Sequence, residues 1–128
     1  KPAGDNDPVD VCEIGTTLHA TGSVVPVKIV GVLGLIDEGE TDWKLIGIDI
    51  RDKLASQIND IDDVETQLPG LLDATRRWFK YYKVPTGKPP NKFALNEQYG
   101  NREYAQRVID ETRKYWEKLA SGETKVDE

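Results

Sequence analysis

The run from Ser23 to Ile36, SVVPVKIVGVLGLI, constrains the fold most. It is dense in Val and Ile, which suit a pleated, half-buried surface, and Gly31 and Gly34 interrupt it as expected of a curved, buried strand. Pro26 marks an edge or a bulge near its start, since proline has no ladder donor. DEGETD then supplies a turn, and Trp43 to Ile50, WKLIGIDI, alternates as a returning strand. The two runs read as a β-hairpin with an acidic loop.

Beyond the hairpin the chain reads as mainly helical. NDIDDV is a helix entrance, with acidic side chains placed at the positive end of the dipole. Pro69 opens PGLLDATRRWFKYY, in which Leu71 or Leu72, Thr75, Trp78, Phe79 and Tyr82 fall at helical spacing, and Pro85 and Gly87 end it. After the loop VPTGKPPNKF, a second long helix is expected from Asn101 to about Leu119. It carries Tyr104, Val108, Ile109, Thr112, Trp116 and Leu119 on one connected face. Trp78, Phe79, Tyr81, Tyr115 and Trp116 are read as packing groups, and 120–128 as a flexible tail. The order of acidic loop, hairpin and helices gives an α+β fold class, with too few strands to close a barrel alone.

Charge and composition narrow the function. Lys plus Arg number 17 against 23 Asp plus Glu, a net charge of −6, which argues against a nucleic-acid partner or an anionic membrane surface. No apolar stretch approaches the roughly 20 residues of a membrane span. Cys12 is the only cysteine, so neither an intrachain disulfide nor a cysteine zinc cluster is available, which suits a reducing compartment. His19 stands in a polar turn without a nucleophile motif and reads as a surface histidine.

The acidic loops carry the chemistry. GDNDPVDV places Asp5, Asp7 and Asp10 within six residues. In an extended segment Asp5 and Asp7 share a face, and Asp10 joins them only through a bend, for which Pro8 is a cause. The second acidic loop offers Asp37 and Asp42 on the two arms of the hairpin. Asp42 and Lys44 share strand parity, so a carboxylate and an ammonium point to one place. Short oxygen ligands on turns suit hard cations such as Mg²⁺, which takes one or a few carboxylates and keeps several waters. Several carboxylates plus a lysine match a highly charged anion that needs cations around it, as a phosphoryl compound does. One further carboxylate would be free to accept a proton from water. By pattern alone an Asp-rich turn is more often a solvated loop than a catalytic metal site, and the pattern lacks the glycine and distal glutamate of a calcium-binding EF-hand loop.

Four segments, GDNDPVDVCEIG, LIDEGETDWKLIGIDI, NDIDDVETQLPGLLDATRRWFKYYKVPTGKPPNKFALN and YAQRVIDETRKYWEKL, closely resemble the soluble family I inorganic pyrophosphatases of the eukaryotic type, in the same order. The resemblance implies an OB-like five-stranded β-barrel with flanking helices, of which this chain would hold the C-terminal half. It implies hydrolysis of inorganic diphosphate to two phosphates by a metal-bound hydroxide. The cofactor would be several Mg²⁺ ions, with Mn²⁺ or other divalent ions able to substitute. By matching motif positions, Asp5, Asp10, Asp37 and Asp42 would hold metals, Asp7 would act as the general base, and Lys44, Tyr82 and Lys83 would bind phosphate oxygens. Lys88 and Lys92 stay surface residues.

Family members carry roughly half of the domain ahead of the matched region, including phosphate- and metal-pocket residues without a counterpart here. With no methionine in the chain, residues 1–128 are expected to be an incomplete single domain, truncated or cleaved, with a possible companion N-terminal fragment. The expected partners are inorganic diphosphate and, in the intact protein, a second copy in a homodimer. The expected location is the cytoplasm, with mitochondria as the alternative. Two rival functions stay open: a non-catalytic metal-binding or interaction fragment, and a phosphatase or phosphodiesterase acting on organic phosphates.

Overall fold

The Val/Ile-rich run forms the centre of the molecule in a computed structural model that describes residues 9–16, 20, 22–37 and 39–121, with only the backbone at position 37. Among the described residues four strands, β1 (Asp10–Glu13), β2 (Val27–Asp37), β3 (Glu40–Asp49) and β4 (Lys92–Phe93), make one sheet in the order β1-β3-β2-β4. Strands β2 and β3 are the expected hairpin, antiparallel from Val27 opposite Asp49 to Asp37 opposite Glu40. Gly39 at φ 83° supplies the left-handed residue that so tight a reversal requires. β1 adds to β3 in parallel and β4 to β2 antiparallel. The architecture is mixed α+β with an open sheet, and the expected β-hairpin is its core.

Strand β2 begins directly after Pro26, and a register shift between Ile29 and Gly31 bulges the strand at Val30. Gly31 is required by close approach. A Cβ there would lie 2.5 Å from the Ile61 side chain and 2.9 Å from the Gly100 carbonyl oxygen. That oxygen accepts from Val32 N at 3.1 Å, and Gly100 N donates to Val32 O at 2.8 Å, tying β2 to the segment ahead of the last helix.

Among the described residues three α-helices pack around the sheet: α1 (Ile61–Gln67), α2 (Leu71–Tyr81) and α3 (Arg102–Ser121). One face packs Val30, Ile46 and Ile48 against Ile58, Ile61, Val64 and Leu72. The other packs Val32 and Leu45 against Ala105 of α3. The acidic entrance of α1 is a capping box, in which Asp60 accepts from the first turn and Asp63 Oδ2 accepts from Asp60 N at 3.1 Å. Asp60 Oδ1 also accepts from Arg102 N at 2.9 Å, so one carboxylate joins the starts of α1 and α3.

Three expectations about packing are corrected. Trp78 is 60% exposed, Tyr81 47% and Trp116 37%, so none of the three is a packing group of the core. On α2 the inward stripe runs through Leu72 and Phe79, which leaves Trp78 beside it and facing out. On α3 the buried residues are Ala105, Val108 and Tyr115, so the contact stripe passes one residue before Trp116. The tail beyond Ser121 lies outside the described residues. Among the described residues no helix is long and apolar enough to cross a membrane.

Candidate active site

The parallel register of β1 on β3 sets Asp10 opposite Lys44, and the two-residue period of the pleat turns Asp42 to the same face. The result is an ammonium between two carboxylates. Lys44 Nζ lies 2.7 Å from Asp10 Oδ2 and 3.1 Å from Asp42 Oδ2. The lysine side chain is only 12% exposed, whereas those of Asp10 and Asp42 are 67% and 36% exposed. Burial acts to lower the Lys44 pKa, but the hydrogen bonds and charges of Asp10 and Asp42 outweigh it and hold the group well above the usual lysine range. Lys44 is therefore a permanent cation in neutral solution, anchored at its stem while its carboxylate partners face solvent.

A second group of side chains stands at the C-terminal end of α2. Trp78 and Tyr82 stack with ring centroids 4.9 Å apart and planes 11° apart, and Lys83 Nζ lies 5.5 Å from the Tyr82 ring centre. Phe79 meets Tyr82 edge to face at 6.2 Å, and Lys44 Nζ lies 6.0 Å from the Phe79 ring centre. The helix end is held by Asn91, whose side chain donates to Phe79 O at 2.7 Å and whose backbone N–H donates to Lys80 O at 2.8 Å. These bonds satisfy carbonyls that a helix C-terminus otherwise leaves unpaired. Beside Lys83 opens a cleft of about 280 Å³, lined by Ile36, Asn91 and the side chains of Lys88 and Lys92.

The structure brings together three of the residues singled out from the sequence, Asp10, Asp42 and Lys44, and sets Tyr82 and Lys83 on the helix end that Phe79 links to them. Asp37 closes β2 opposite Glu40, and only its backbone is described. Asp5, Asp7 and His19 lie outside the described residues. Among the described residues no group of three or more His, Cys, Asp or Glu side chains could hold a metal ion. The donor set of Asp10 and Asp42 nevertheless fits a hard divalent cation, because Mg²⁺ is held by one or two carboxylates and completes its shell with water.

Sequence reasoning passed over two other carboxylates. Asp49 is fully buried and accepts from Arg51 N at 2.8 Å and Arg51 Nε at 3.1 Å. Asp52, 5% exposed, accepts from Thr16 N at 2.6 Å and Leu54 N at 2.9 Å, fastening the chain after β1 to the loop after β3. The available signal was an aspartate closing the apolar run LIGID, where a charge survives only if it is hydrogen-bonded. Cys12 neighbours the site, and burial raises its thiol pKa against the opposing pull of Lys44, which works against thiolate formation.

Comparisons with known proteins show the family. The profile of a family described as inorganic pyrophosphatase matches residues 2–117. An inorganic pyrophosphatase of Debaryomyces hansenii is 57% identical over 97% of this chain, and inorganic pyrophosphatase 1 of Caenorhabditis elegans is 58% identical over 91%. The chain spans 43% of the first relative's length and 27% of the second's. Among solved structures, the inorganic pyrophosphatase of Schistosoma japonicum superposes with a TM-score of 0.87 at 58% identity, over 91% of this chain and 41% of that one. An N-terminally truncated vacuolar soluble pyrophosphatase of Trypanosoma cruzi, solved with PPi, gives a TM-score of 0.89 at 44% identity, over 92% of this chain and 45% of that one. With its family profile matched along nearly its whole length, the chain belongs to the inorganic pyrophosphatase family.

Proposed function

We propose that the intact protein hydrolyses inorganic diphosphate to two phosphates with the help of Mg²⁺, and that this chain carries the acidic part of its active site. The observation that supports this most is the Asp42–Lys44–Asp10 cluster, an anchored ammonium flanked by solvent-facing carboxylates on neighbouring strands. Carboxylates of that kind take up hard cations, and a fixed ammonium beside them meets a polyanion that arrives with those cations. Asp5, Asp10, Asp37 and Asp42 are the metal-holding residues in this reading. The bound cations supply charge neutralisation and Lewis-acid polarisation of a phosphoryl oxygen. Mn²⁺ or another divalent ion can take their place.

The protein's own groups do the rest. Lys44, Tyr82 and Lys83 bind phosphate oxygens and fix the orientation of the diphosphate. Lys44 does so as an ammonium, turning from the carboxylates to the phosphate oxygens when cations take their place. The Asp7 carboxylate orients the attacking water and accepts its proton as the bridging P–O bond breaks. We read residues 1–128 as the C-terminal part of one pyrophosphatase domain, in a cytoplasmic homodimer when intact.

The test is phosphate release from diphosphate by the intact protein, with and without Mg²⁺. Release should depend on the metal and fall by about two to four orders of magnitude in Asp7→Asn, as expected for loss of a general base. Near-normal turnover in that variant would remove Asp7 from its role, and equal rates on organic phosphate monoesters would replace the reading by a general phosphatase. A second reading, that the 128-residue chain by itself is a non-catalytic metal-binding or interaction fragment, is favoured by its coverage of only 43% of a relative's length. Full activity of the isolated chain would overturn it.

A further inference from the structure

We infer that Phe79 is the positioning residue that sets the Lys44 carboxylate cluster and the Tyr82–Lys83 end of α2 at a fixed distance from each other. The inference rests on the reading of Lys44, Tyr82 and Lys83 as phosphate-binding groups.

Phe79 is the described side chain that touches both groups. The Lys44 ammonium lies 6.0 Å from its ring centre, within the range at which a cation is attracted by an aromatic quadrupole. Tyr82 meets the same ring at 6.2 Å and 88°, and Trp78 meets it at 5.1 Å and 78°. Both contacts are edge-to-face geometries that fix the angle between rings as well as their spacing. The ring cannot drift, because it packs against Leu33, Leu35 and Phe93 of the sheet and its own carbonyl is held by the Asn91 side chain at 2.7 Å. Lys44 is on a strand and Tyr82 is just past a helix, so their separation depends on how α2 sits on the sheet. Phe79 is the wedge at that contact.

An aliphatic residue of similar volume would keep the burial but offer neither a quadrupole to the ammonium nor a ring edge to Tyr82. Phosphate-binding groups displaced by a fraction of an ångström lose much of their orienting effect.

The experiment uses the intact protein as wild type, Phe79→Leu and Phe79→Tyr. Each is measured for thermal stability, for kcat and KM on Mg²⁺-diphosphate, and by crystallography for the distance from Lys44 Nζ to the Tyr82 ring. In Phe79→Leu, KM should rise and kcat/KM fall by about tenfold, while Tm moves by a few degrees at most. Phe79→Tyr should restore most of the loss. The distance from Lys44 Nζ to the Tyr82 ring should change by a fraction of an ångström or more in Phe79→Leu and stay near wild type in Phe79→Tyr. An unchanged Lys44–Tyr82 distance in Phe79→Leu would overturn the inference, as would a drop in Tm with kcat/KM preserved. If the wild type fails to hydrolyse diphosphate, the functional reading falls, and the Lys44–Tyr82 distance in the variants still decides whether Phe79 sets the spacing of these groups.

Discussion

Replacing Lys44 by glutamine removes the only charge that the described structure places between Asp10 and Asp42. The contacts at 2.7 and 3.1 Å are charge-assisted, but Asp10 is 67% exposed and Asp42 36%, so solvent screens both. A contribution of about 0.5 kcal/mol for the more exposed partner and about 1 kcal/mol for the other gives about 1–2 kcal/mol in all. That free energy opposes any cation that seeks the same two carboxylates. Lys44→Gln in the intact protein should therefore tighten Mg²⁺ binding without diphosphate by about 5- to 30-fold, taking tenfold as about 1.4 kcal/mol. It should weaken diphosphate binding at the same time. Isothermal titration calorimetry reads the first effect, and Lys44→Arg, which keeps the charge, is the control. Mg²⁺ affinity that is unchanged or weaker in Lys44→Gln would refute the reasoning, because the ammonium would then not be competing for those oxygens.

Other expectations concern the frame. Gly31→Ala places a methyl 2.9 Å from the Gly100 carbonyl, a backbone atom that cannot swing aside, and should lower stability by about 1–3 kcal/mol in urea unfolding. Glu97 stands at φ 66° beside Leu95 and Asn96, also left-handed, so Glu97→Gly should raise stability by about 0.5–1 kcal/mol despite losing the exposed contact to Lys80 at 3.5 Å. Alkaline stability should decline from about pH 10 upward. Lys44 has its pKa raised in the fold by Asp10 and Asp42 against the effect of burial, and Tyr99 has its own raised chiefly by burial. Both groups keep protons that the unfolded chain has already released, so their stabilisation is whole below the ordinary lysine and tyrosine values and is lost above them. Denaturant midpoints across pH 8 to about 11.5 check this, and Asp42→Asn should flatten the decline.

How much of the fold and site was legible in the sequence depended on the length scale of each signal. The hairpin was readable because β-branched residues and a glycine turn fix both its arms and its reversal. The capping box of Asp60 and Asp63 was readable as an acidic helix entrance. Strands β1 and β4, four and two residues long, were not, since their pairing is set by the neighbours they meet rather than by their own propensity. Helical spacing located α2 and α3 but misjudged Trp78 and Trp116. An apolar stripe broad enough to include Phe79 also includes its neighbour, and only the angle at which the helix meets the sheet separates them. At the site, parity alone paired Asp42 with Lys44. The addition of Asp10 required the parallel register of β1 on β3, a long-range fact. Phe79 was read as packing, which it is, while its contact with Lys44 depends on where the helix lies.

The most direct test is anomalous diffraction from crystals of the intact protein grown with Mn²⁺ and a non-hydrolysable diphosphate analogue. Mn²⁺ should lie within about 2.0–2.4 Å of carboxylate oxygens of Asp10 and Asp42, with Lys44 Nζ turned to an oxygen of the analogue. Manganese bound elsewhere, with Asp10 and Asp42 still closed around Lys44 and the analogue out of its reach, would contradict the proposed metal and phosphate roles of these three residues.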